Sequence, residues 1–389
     1  MRGLASPRLR TAQAGVSLVE TMVALVLGLA MVSVAFNLYV SNRAVSRQID
    51  GMVRLQESAS IATALLETDI RHAAGTLCRN TPPTTILLAQ AKKYWETDEE
   101  NNGFLIGLRG YESTETDPIV GDDRKAGDSI SLMSDNMGAV ARVTGRATYS
   151  SVAGSGGLRG SYTFPVDNGS NFPVGTVAMA CDYTRAVLFQ VTGSTASTIT
   201  LQAGEGGGPS PGNCSIKMRR QAAETDGVQT GPVAPMDGDY RCYDGQGDKP
   251  TTGFVYPFGP GSMVAKHSFS HWYIGRKTGT TDGLSLFRKR MVYANGAIGL
   301  GDAEEIVQDV TDMQITYLPG GFEGYPTKSF YVPSTENPNL GSETAVRIML
   351  TLTGPDKVGV TADNAASPAT YTIPINVAIR DRMPSVVRR

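Results

Sequence analysis

From Val16 to Val40 the chain reads VSLVETMVALVLGLAMVSVAFNLYV, about 25 residues that are almost wholly apolar. As a helix rising roughly 1.5 Å per residue, this stretch is about 37 Å long and can cross a hydrocarbon core of about 30 Å. Residues 1–15, MRGLASPRLRTAQAG, carry Arg2, Arg8 and Arg10 and no acid. A basic flank of this kind is expected to stay cytoplasmic, which turns the rest of the chain outward.

An ordinary secretory signal explains the pattern poorly. Its apolar stretch would be about 7–15 residues and would be followed by a small-residue cleavage site. Here Ala14 and Gly15 precede the apolar stretch, so cutting there removes the charged leader and keeps the helix. Glu20 is the second anomaly. A carboxylate at the start of a helix in lipid costs up to roughly 2.5–3.5 kcal/mol on permissive insertion scales and needs a positive partner. Cleavage after Gly15 would free an amine on Val16, one helical turn from Glu20, and the helix N-terminus itself favours a negative side chain there.

Gly15-Val16-Ser17-Leu18-Val19-Glu20 resembles the processing motif of type IV pilins and pseudopilins. In that family a prepilin peptidase cuts after the glycine and methylates the new N-terminus. The resemblance implies cleavage between Gly15 and Val16, N-methylation of Val16, and a role for Glu20 in docking the subunit into a growing filament. The first mature residue of the family is usually Phe, and here it is Val16. The competing reading is an uncleaved signal anchor with a chance glutamate.

Past Val40, Val45, Ile49, Met52, Val53, Ile61, Leu65, Leu66 and Ile70 recur near helical spacing among polar residues, and no proline interrupts residues 16–80. This pattern predicts one helix from about Val16 to about Ala74. Residues 16–40 lie in the membrane or filament core, and residues 41–76 form an amphipathic half covered by a soluble domain. Gly28 and Gly51 are expected soft points, and Gly75 a stop. Residues 77–389 are expected to form a β-rich periplasmic head, giving an α+β fold with the long helix packed on an elaborated antiparallel sheet. A second subdomain inside residues 150–255 stays open. Strand-like runs fall at 129–133, 139–144, 176–180, 186–192, 198–202, 268–274, 284–289, 313–318, 345–353 and 370–379. Gly154–Gly160 and Gly204–Gly212 read as surface loops, and Thr225–Asp237 as a linker or edge loop.

The run Leu65-Leu66-Glu67-Thr68-Asp69-Ile70-Arg71-His72-Ala73-Ala74-Gly75, followed by Cys78, resembles the end of the long helix in PilW-type minor pilins. Without that resemblance, Ile70 reads as core and Asp69–Arg71 as a solvated face. His271-Trp272-Tyr273-Ile274, Leu284-Ser285-Leu286-Phe287-Arg288, Glu305 to Tyr317, Val346-Arg347-Ile348 and Val377 to Arg382 are similar to later strands of those proteins, whereas residues 80–260 carry little likeness. The resemblance implies a minor pilin in an inner-membrane priming and pilus-tip complex. Its partners would be other minor pilins, the major pilin, the prepilin peptidase and a large tip adhesin, with no cofactor. A J-type pseudopilin of type II secretion, or an adhesive or DNA-uptake tip subunit, are the alternatives.

Four cysteines, Cys78, Cys181, Cys214 and Cys242, in an exported domain read as disulfides, with three pairings open. Cys214–Cys242 would close a Gly/Pro-rich loop and leave Cys78–Cys181 to pin the helix end to the sheet. No C-x₂-C pair suggests zinc.

The formal net charge of −2 and the absence of aromatics interleaved with Lys or Arg give no sign of a nucleic-acid partner. No catalytic constellation is visible. Gly208-Pro209-Ser210-Pro211-Gly212 matches G-x-S-x-G, but prolines flanking the serine suit a loop and not a strand-to-helix elbow. The Lys-Ser within Gly320–Ser329 lacks the P-loop spacing. His267 and His271 could share a strand face, yet two histidines make a poor metal site, and Asp237, Asp239, Asp244 and Asp248 read as solvated turn acids without EF-hand spacing.

Overall fold

A computed structural model describes residues 17–73, 77–78, 84–88, 107–152, 159–204, 212–217, 255–294, 297–320, 330–333, 343–360 and 366–379. A single helix, α1, runs from Leu18 to Arg71, 54 residues without a break. Gly28 and Gly51 lie inside it, and a Cβ at either would meet nothing within 4 Å, so packing requires neither glycine. Each weakens the helix by up to about 1 kcal/mol relative to alanine.

The strands follow in chain order. They are β1 (Thr84–Ile86), β2 (Leu108–Tyr111), β3 (Ala126–Arg142), β4 (Thr148–Ser151), β5 (Gly160–Pro165), β6 (Val177–Cys181), β7 (Ala186–Gln190) and β8 (Gly193–Ser194). After these come β9 (Thr198–Ala203), β10 (Met263–Arg276), β11 (Leu284–Ala294), β12 (Ala297–Leu300), β13 (Glu304–Gln308), β14 (Val310–Leu318), β15 (Ala345–Val360) and β16 (Ala366–Ala378). The fold is α+β, with the described strand-to-strand ladders antiparallel except for β1 on β7.

Two compact units divide the chain. One comprises Met1–Arg54 and Gly354–Ala369, the other Leu55–Thr353 and Thr370–Arg389. In the second unit β10 is the central strand of a nine-stranded sheet. One edge of β10 pairs with β3, from Met263↔Arg142 to Ile274↔Ala126. Its other edge is shared: β6 takes residues 263–266 and β11 takes residues 270–276. A four-stranded sheet, β4-β5-β9-β8, and a three-stranded sheet, β14-β15-β16, complete the strands.

Every run read as a strand from sequence lies in or overlaps a strand, but two of them are one strand. The runs at 129–133 and 139–144 both fall in β3, because the turn-like Asp135-Asn136-Met137-Gly138 is absorbed as an irregularity: Lys266 pairs with Asn136 and Ala265 already with Val140. Gly160, assigned to a loop, opens β5, whose buried Tyr162 and Phe164 alternate with half-buried residues. Those two rings pack with Phe172, Phe189 and Phe258, all at most 1% exposed, and with Leu87, Ala178, Ala180 and Val264. The small sheet therefore shares its core with strands of the large one. Asp309, with φ 64°, turns β13 into β14, its carboxylate 2.9 Å from Lys277 Nζ.

Candidate functional site

Of the functional residues expected from sequence, Glu20 lies in α1, whose two ends have opposite surroundings. At the start, the Thr21 N–H donates to Ser17 O at 3.1 Å and the Thr21 hydroxyl to Leu18 O at 2.8 Å. Ser17-Leu18-Val19-Glu20 has the S-x-x-E spacing of a capping box, which places Glu20 in the first turn where the helix dipole favours a carboxylate. Gly15 and Val16, the expected cleavage and methylation positions, lie outside the described residues, as does Gly75.

From Leu18 to Val40 every large apolar side chain is 50–77% exposed. Burying one such side chain is worth about 1.5–3 kcal/mol, so a helix apolar on all sides needs an apolar surrounding. By length and composition it is able to cross a membrane.

The far end of α1 is core. Leu55, Ala59, Ala62, Leu66, Ile70 and Ala73 are at most 3% exposed and follow helical spacing. The covered stripe begins at Leu55, later than the expected residue 41, and Val45, Ile49, Val53 and Ile61 are 47–57% exposed. The sequence reading took the larger side chains for the stripe, and alanines carry half of it.

Asp69 corrects the reading of residues 69–71 as a solvated face. Its Oδ2 accepts hydrogen bonds from Trp272 Nε1 at 2.9 Å and Ser270 Oγ at 3.1 Å, and lies 3.7 Å from Arg288. Burial raises the Asp69 pKa, against the lowering effect of the Trp272 and Ser270 hydrogen bonds. Arg288 stacks over the Trp272 ring at 5.0 Å and pairs with Glu304 at 3.0 Å. Ile70 is fully buried and Arg71 exposed, as read. The signal for Asp69 was present: it sits three residues after Leu66, at the flank of the buried stripe, where a carboxylate needs a partner.

Seven residues beyond Arg71, the last residue of α1, lies the covalent tie. Cys78 is bonded to Cys181 at the end of β6, with Cα atoms 5.8 Å apart. Cys214 is also disulfide-bonded, and Cys242 lies outside the described residues.

The two strand histidines are buried, each beside an aspartate that sequence reasoning did not connect to it. His271 Nε2 lies 3.0 Å from Asp117 Oδ2 and its Nδ1 2.9 Å from Ser131 Oγ. Burial works to raise the Asp117 pKa, but hydrogen bonds from His271, Ser129 and Ile119 bring it down to about 2. Ser, His and Asp in this order form the chain of contacts of a hydrolase. Ser131 is only 2% exposed in the middle of β3, however, between β2 and β10, so no substrate carbonyl can meet its hydroxyl in this conformation. Asp135 Oδ1 faces His267 Nδ1 at 3.7 Å, the two being cross-strand partners. An open polar cleft of about 380 Å³ beside Asp117 is lined by Glu115, Asp122, Arg124 and Lys125 among others. Arg124 donates there to Tyr111 O and Glu115 O, and Lys125 to Asp122 O, so both cations already serve the backbone.

Among the described residues no group of three or more His, Cys, Asp or Glu could hold a metal ion. Asp237, Asp239, Asp244 and Asp248, Ser210 with its flanking prolines, and the Lys-Ser near residue 328 lie outside the described residues. No protein-family model, no curated protein and no solved structure matches the chain.

Proposed function

We propose that this chain is a minor pilin of the type IV pilin and pseudopilin class, a membrane-anchored subunit that helps initiate a pilus and sits at or near its tip. The observation that carries this reading is the division of one unbroken helix. Residues 18–40 are apolar on every side with a carboxylate in the first turn, and residues 55–73 are the core of a β domain. Such a helix suits a subunit that is stored in a bilayer and later packed among equivalent helices of other pilins, where the same all-round apolar surface serves both surroundings. Glu20 then meets the amine of Val16, of its own or a neighbouring subunit, and sets the axial register.

The test is electron microscopy of surface pili in a clean deletion strain, with type II secretion assayed alongside. Lost pili with intact secretion is the expected result. Normal pili with lost secretion would move the chain to the pseudopilins, and no effect on either would overturn the filament reading.

A further inference from the structure

The geometry points to a phospholipid-binding collar made by Tyr39, Arg43 and Arg47 on α1, whose ligand is the phosphate of anionic lipid in the outer-facing leaflet. This inference rests on the membrane-spanning reading of residues 18–40 and adds a ligand to it. Tyr39 stands 19 residues after Glu20 in the sequence. At roughly 1.5 Å per residue the two are about 29 Å apart along the helix, close to the thickness of a hydrocarbon core of about 30 Å. With Glu20 at one boundary, Tyr39 falls at the other, the depth that tyrosine prefers.

Arg43 follows one turn later and Arg47 one turn after that, so all three share a helix face. The Arg43 guanidinium lies 6.0 Å from the Tyr39 ring centroid. Tyr39, Arg43 and Arg47 are all exposed. Arg43 stands about 6 Å and Arg47 about 12 Å beyond the boundary, and the headgroup zone is roughly 5–8 Å deep on each side, so Arg43 lies within it and Arg47 reaches back to it along its own stem. No acidic residue occurs between Glu20 and Asp50, so the collar is basic throughout its reach.

The charge has a further consequence. Cutting after Gly15 removes Arg2, Arg8 and Arg10, the basic residues on the other side of the span. The remaining side-chain cations next to the bilayer are then Arg43 and Arg47, the Val16 amine being matched by Glu20. Guanidinium groups that bind phosphate in a two-pronged fashion hold the helix at a fixed depth until it is drawn out into a filament.

The experiment reconstitutes the full chain in phosphatidylcholine vesicles. Electron paramagnetic resonance then compares the motionally restricted fraction of spin-labelled phosphatidylglycerol with that of spin-labelled phosphatidylcholine. The leader arginines are the same in every variant and cancel in the comparison. Wild type should prefer phosphatidylglycerol, and R43Q/R47Q should lower that preference by about fivefold per arginine removed. R43K/R47K should fall between the two, since lysine retains the charge but not the two-pronged contact. A restricted lipid component with the same preference in wild type and R43Q/R47Q overturns the collar and leaves the spanning reading intact. No restricted component in any variant overturns the spanning reading and the collar with it.

Discussion

The two ends of α1 are the same secondary structure with contrary sequence logic. Between Leu18 and Val40 the helix is lined on all sides by Leu, Val, Met and Phe, and none of these side chains is covered. Between Leu55 and Ala73 half of the buried stripe is alanine, flanked by Gln56, Glu57, Glu67 and Asp69. Alanine lets the helix backbone approach the sheet, and the few large residues, Leu55, Leu66 and Ile70, fill what remains. The first end is built for a surrounding the protein does not supply, whereas the second is built for one specific neighbour. A helix that was merely long and apolar would show only the first pattern.

The covalent tie at the second end should matter most. The Cys78–Cys181 bond spans 103 residues, and chain-entropy arguments place closure of a loop that long at about 4–5 kcal/mol. Cys78→Ser with Cys181→Ser should lower unfolding stability by that order in chemical denaturation of the full chain in detergent, while leaving helix content near residues 18–40 unchanged.

Core truncation should separate the two ends more sharply. Leu66→Ala is expected to cost about 2–5 kcal/mol, because Leu66 is fully buried. Leu25→Ala, at a position 63% exposed, should move the same denaturation midpoint by less than about 0.5 kcal/mol. Equal losses at both positions would contradict the division.

Asp69→Asn comes next, at about 1–2 kcal/mol. It keeps a carbonyl for the Trp272 N–H but loses the charge facing Arg288. The change should alter the emission of Trp272 before unfolding begins, and Asp69→Ala should cost more than Asp69→Asn.

The smallest effect is one of pH. Burial raises Asp128 to about 6, although its carboxylate accepts N–H bonds from Ile315 and Ser113. An unfolded aspartate titrates near 3.9. Below about pH 4 Asp128 is protonated in both states and costs nothing, and stability falls as pH rises from about 4 through about 6. Asp117 has the opposite sign: its contribution is present above about pH 4 and is lost as pH falls toward 2. Asp128→Asn should flatten the stability profile between pH 4 and 6 in the β unit.

Much of this arrangement was legible in the sequence because it is written in local patterns. The apolar run and the position of Glu20 are read residue by residue, and short strand-like runs marked parts of the long strands β10, β14 and β15. The limits are equally physical. The buried stripe of α1 was misjudged because Ala59, Ala62 and Ala73 carry little hydrophobic signal of their own, and their burial depends on a sheet assembled from distant residues. Asp69, Asp117 and Asp135 find their partners 203, 154 and 132 positions away, at Trp272, His271 and His267. No local pattern announces such a pairing. Gly160 and Asp135-Asn136-Met137-Gly138 misled because turn-forming residues can also open a strand or sit in a bulge.

The most direct test of the central claim is to complement the deletion strain with Glu20→Ala and count surface pili by electron microscopy, with leader cleavage and membrane level of the chain followed by immunoblot. The account predicts a chain that is cleaved, present at wild-type level and unable to restore pili. Normal pilus numbers with Glu20→Ala would contradict it.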